Sequence, residues 1–175
     1  MKKTIPIIGG IILIIGVLIG FVDKTLGFWQ IKSVYELLGN TTTDISFLSI
    51  FGQISETGSN DVSSVADISP FLIVAISILI GGILIIFGGV KNTKGITIIA
   101  CVIAIAGLAY FVYSLANIPE VGNLMILISN DKSRIFGSDT YSLIGTTTYY
   151  WRLGNGYFIS AGGVFISLFG SFTKD

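Results

Sequence analysis

Ten carboxylates, ten cationic side chains and a single thiol make up the strongly reactive groups of this chain, because histidine is absent and cysteine occurs once, at Cys101. Without imidazole no side chain titrates near neutrality in its ordinary state, and zinc, haem or a Cys–His dyad lacks its usual ligand or partner. A single cysteine also forbids an internal disulfide. The carboxylates follow no spacing that general acid–base chemistry would use, and exposed Asp or Glu ordinarily serves solvation. The sequence therefore predicts no catalytic residue, no cofactor and no metal: a non-enzymatic protein. Interaction candidates are aromatic and cationic, namely Phe28 and Trp29, and the run Tyr149, Tyr150, Trp151 and Arg152. Thr41 to Thr43 and Thr146 to Thr148 read as strand residues able to offer hydrogen-bonding edges, and Asn40-Thr41-Thr42 is a glycosylation acceptor pattern.

The elements that position these residues are set by hydropathy. Of the 175 residues 52% are hydrophobic and 11% charged, against about 25% charged in a soluble domain, so much of the apolar surface must face lipid. Four uncharged runs lie between charged residues, at about 4–22, 68–90, 95–119 and 153–173. Each is expected to be a transmembrane helix, since a bilayer core takes roughly 20 apolar residues. The first run follows Lys2 and Lys3 but is too long for a signal core and lacks a small-residue cleavage site, which makes it a retained helix. Lys2, Lys3, Lys91, Lys94 and Lys174 fall on one side, which puts both termini in the cytoplasm. Nine of the ten acids lie in the outer segments 23–67 and 120–152. Net charge is zero, which offers nothing to nucleic acid.

Small residues recur within the runs: Gly16 and Gly20, Gly81 and Gly82, Ala100 and Ala104, Gly162 and Gly163. In lipid such residues let helix backbones approach, either inside one bundle or between copies. The aromatic residues near the outer ends, Tyr110, Phe111, Tyr113, Phe28, Trp29, Tyr149, Tyr150, Trp151, Tyr157 and Phe158, are expected to anchor in the headgroup layer. No run carries an ionisable group of the kind that ion-coupled transport needs.

In the outer segments, Ile31, Val34, Tyr35 and Leu38 fall at helical spacing and predict a short amphipathic helix, while Thr41 to Phe51 reads as strand and Glu56 to Ser64 as a tip. Leu124 to Ser129 and Thr140 to Trp151 are further strand candidates about a turn at Asn130 to Ser138. The strands are expected to pair into one sheet, because a lone hairpin is marginal in water. The expected fold is an integral-membrane, all-α, four-helix transmembrane bundle with a small extracellular β-sheet subdomain.

Gly27-Phe28-Trp29 looks like the Gly-Leu-Trp element of the claudin first outer segment, and Gly154 to Gly163 like the start of that family's last helix. With the order of spans, these residues resemble the claudin-like tetraspan superfamily, which includes peripheral myelin protein relatives. The cysteine pair that claudins carry after the element is missing. The resemblance implies a sheet-bearing outer domain and lateral self-association. The expected function is a non-enzymatic tetraspan scaffold or adhesion protein of the cell membrane that contacts its own copies, neighbouring cells or envelope material. The alternatives are an accessory subunit of a larger membrane complex and an oligomeric large-pore channel. Expected partners are the lipid bilayer and a homo-oligomer or another membrane protein.

Overall fold

The computed structural model describes residues 4–37, 40–56, 62–64, 68–117, 135–142 and 145–173. Helix α1 (Thr4–Val22) leads through a 3-10 turn (Lys24–Leu26) into strands β1 (Trp29–Leu37), β2 (Asn40–Leu48), β3 (Gln53–Glu56) and β4 (Val62–Ser64). Helices α2 (Ser69–Val90) and α3 (Lys94–Asn117) follow, then β5 (Gly137–Ser142), β6 (Thr146–Leu153) and α4 (Asn155–Phe172).

Pro70 occupies the first turn of α2, where its missing N–H would be unpaired in any case. The α2–α3 connection closes as a Schellman motif. Asn92 takes φ 55°, Thr93 N–H donates to Gly88 O at 2.8 Å and Asn92 N–H to Gly89 O at 3.2 Å.

The helices meet through small residues, and the most extensive helix contact joins α1 to α4, the first and last in the chain. A Cβ on Gly163 would lie 2.5 Å from Leu13 N and 2.6 Å from Gly9 O. Ser167 Oγ donates to Gly163 O at 2.8 Å, so the hydroxyl is satisfied inside the seam. Gly16 faces Ser160 and Gly156 of α4, Gly82 faces Ile14 of α1, and Gly81 faces Ala100 and Ala104 of α3. These residues therefore serve packing within one chain. A Cβ on Gly20 would lie 3.9 Å from Leu26 O, and one on Gly162 would meet nothing within 4 Å.

Six antiparallel strands form one sheet in the order β4-β3-β2-β1-β6-β5, so the two connecting segments are joined through β1 and β6. The sheet abuts the helices at an aromatic cluster. Phe28 packs edge-on against Phe111 at 5.2 Å and Tyr157 at 6.1 Å, and Phe71 meets Phe111 at 6.0 Å.

Several expectations are corrected. The fold is not an all-α four-helix transmembrane bundle with a minor sheet. It combines four helices with a six-stranded antiparallel sheet, and among the described residues only α2 and α3 are long and apolar enough to cross a membrane. The tetraspan layout fails with it. In α1 the apolar stretch described in full, Thr4–Gly20, falls short of that length. The last run loses Leu153 to β6 and Gly154 to the joint, and the helix that remains is diluted by Asn155, Ser160, Ser167 and Ser171. Charge-free length overcounted spans because it ignored where the strands end.

Residues 29–37 form a strand rather than the expected amphipathic helix, since Trp29 and Ile31 alternate inward and β1 is paired on both sides. Leu38 lies outside the described residues, as does the expected strand Leu124 to Ser129. Thr140 to Trp151, read as one strand, belongs to two, β5 and β6. Of the expected tip, Glu56 ends β3 and Val62–Ser64 forms β4, while 57–61 lies outside the described residues. Phe28, Trp29, Phe111 and Trp151 are core residues, all at most 2% exposed, and not headgroup anchors.

A candidate binding face on the sheet

Antiparallel register decides which side chains share a face. Gln30 lies opposite Arg152 and Lys32 opposite Tyr150, while Trp29, Ile31, Trp151 and Leu153 alternate to the other face and build the core. On β5, Ser138 lies opposite Tyr150 and Thr140 opposite Thr148, with the two threonine hydroxyls 3.3 Å apart. One side of the β1–β6–β5 sheet is thus polar and cationic.

A groove of about 450 Å³ opens there, lined by Gln30, Lys32, Gly137, Tyr150, Trp151 and Arg152. With its amide oxygen turned toward β6, Gln30 accepts from Arg152 Nε and, at 2.9 Å, from Nη2. That fork fixes the guanidinium plane, and because the amide is neutral the positive charge is held without being cancelled. Gly137 is needed at this place: a Cβ would stand 2.6 Å from Trp151 Cζ2, so a side chain would push β5 off the indole.

The interaction candidates therefore separate. Phe28, Trp29 and Trp151 are buried, and of the three Trp151 is among the residues that line the groove. Tyr149 is half-buried and meets the Tyr141 ring edge-on at 6.2 Å. Tyr150 is 49% exposed and Arg152 is exposed, both on the groove. Gln30 and Lys32 complete the set and were not singled out from sequence, because only the strand register brings residues 30–32 beside 150–152. Asn40 is exposed at the first position of β2, opposite Leu37.

Below the sheet the Asp23 carboxylate accepts from Thr25 Oγ1 at 2.7 Å and from Thr25 N–H at 2.9 Å. The hydroxyl, and after it the amide, hold this carboxyl below its ordinary range. Among the described residues no three His, Cys, Asp or Glu side chains gather to hold a metal ion, and Cys101 is a buried free thiol whose Sγ lies 4.0 Å from Val164 O. The groove offers donors and positive charge, which suits anion recognition. Comparison with models of known protein families and with curated proteins finds no match for this chain, so the geometry alone carries its functional reading.

Proposed function

We propose that this protein is a non-enzymatic scaffold of the cell membrane, held by the α2–α3 hairpin, that presents its sheet outside and associates with further copies through its helices. The observation that carries the reading is the outward side of the hairpin. Ile73, Ile83, Phe87, Ile99 and Val102 are 48–62% exposed there, on two helices of spanning length, and so extended an apolar surface is costly in water. Lys91 and Lys94 mark the hairpin turn, and their positive charge supports an orientation with that end toward the cytoplasm. Gly170 of α4 packs on Ile5 and Pro6 of α1, so the start of α1 lies beside the end of α4.

Self-association is supported by α4. Phe158, Phe165, Phe169 and Phe172 are 59–70% exposed and fall on one arc of the helix. Gly162 lies in the same arc with open space before it, a notch among rings into which a second helix fits.

The test uses single cysteines in a Cys101→Ser background. An impermeant maleimide on intact cells is expected to label Thr42→Cys on the sheet and to reach Asn92→Cys in the turn only after permeabilisation. Equal labelling of both in intact cells sinks the membrane reading. Oxidative cross-linking of Phe165→Cys to a dimer supports self-association, whereas cross-linking only to foreign chains makes the protein an accessory subunit.

A further inference from the structure

We propose that the groove on the β1–β6 face is a binding site for a phosphate group, held between Lys32 and Arg152 with the Tyr150 hydroxyl as third donor. Lys32 stands opposite Tyr150, and Arg152 is the next residue along β6 on the same face. Such diagonal neighbours are about 7–8 Å apart at the backbone, within reach of two long cationic side chains converging on one anion. Gln30 engages one side of the guanidinium through Nε and Nη2, leaving the remaining N–H groups to donate.

Among the described residues no carboxylate lines the groove, and those that line it carry two positive charges and no negative one. The nearby acids among the described residues are directed elsewhere. Asp139 pairs with Tyr149 and Asp44 with Ser33, both on the opposite face, and Asp139 Oδ2 accepts from the Tyr141 hydroxyl at 3.2 Å. Glu36 shares the face but lies four residues beyond Lys32, roughly 13 Å along the strand. Two cations held together by strand register, one braced by a neutral amide, repel each other until an anion enters. Arginine and lysine together are the pair that phosphate recognition uses, one as a planar fork and one as a point charge.

The site lies close to the helices, since Arg152 is three residues from the start of α4. Phosphate at this level has two sources: a lipid headgroup, if the hairpin is inserted as proposed, or a soluble phosphate compound. The site itself does not depend on the membrane reading.

The test uses the full chain in dodecyl maltoside micelles, which carry no phosphate, with inorganic phosphate titrated against chloride at matched ionic strength and tryptophan fluorescence as the readout, because Trp151 lines the groove. In parallel, native mass spectrometry measures retention of added phosphatidylglycerol over diacylglycerol. A saturable response specific to phosphate assigns a soluble source; selective retention of phosphatidylglycerol without that response assigns a headgroup. In either case Lys32→Gln and Arg152→Gln must each weaken binding about tenfold or more, with Arg152→Lys intermediate and near-ultraviolet circular dichroism unchanged. Absence of both signals, or binding undiminished in folded Arg152→Gln, overturns the proposal.

Discussion

Gly154 has no room for a methyl group, because a Cβ there would collide with the Gly27 carbonyl oxygen where its own N–H donates to Phe28 O at 2.8 Å. Gly154→Ala is expected to cost about 1–3 kcal/mol by forcing the strand-to-helix joint apart, read as a lower midpoint in chemical unfolding. Gly162→Ala, with nothing within 4 Å, is expected to leave stability equal or raise it by about 0.4–1 kcal/mol. Ser114 carries a buried hydroxyl that finds no hydrogen-bond partner among the described residues, so Ser114→Ala should stabilise by about 1 kcal/mol in the same assay. Asp23 carries a pH dependence. Its carboxyl titrates lower folded than unfolded, so its contribution is present above the ordinary carboxylate pKa and is lost as pH falls through the depressed value. Thr25→Ala should move the Asp23 titration back up, as followed by carboxyl carbon chemical shift. Residue types were legible in the sequence, and Tyr150 and Arg152 of the groove stood out from it. Their neighbours Lys32 and Gln30 did not, because pairing across more than a hundred residues leaves no local pattern.

At the level of elements, the helices were legible because charge-free apolar runs with prolines at their edges have few alternatives. Whether such a helix crosses a bilayer is a finer question. In α4 it turned on the content of Gly and Ser. Strand β1 was misread because Ile31, Val34 and Tyr35 satisfy helical spacing, yet alternation from Trp29 and Ile31 is satisfied as well. Partner strands on both sides then decide the matter. The test is a proline at Val34. In a strand bonded on both flanks it removes a ladder hydrogen bond and should lower the midpoint of chemical unfolding, with the sheet and helix signals in far-ultraviolet circular dichroism lost together.

For the whole molecule, the packing of α1 on α4 and of β1 on β6 ties the beginning of the chain to its end. Phe28, inserted between Phe71, Phe111 and Tyr157, couples the sheet to the helices, so Phe28→Ala is expected to cost about 3–5 kcal/mol and to loosen both together. Coincident loss of helix and sheet signals on unfolding would express that coupling, and two separate transitions would deny it. The same closure has a consequence for synthesis. Strand β1 leaves the ribosome more than a hundred residues ahead of β6, its second neighbour, and at about 5–20 residues per second that interval lasts roughly 5–20 s. Throughout it, one flank of the sheet's middle strand is an unpaired template and α1 lacks the helix that fills its glycine seam. A nascent chain arrested before residue 146 should recruit chaperones or clump, and release from that state waits on the final segment to be made.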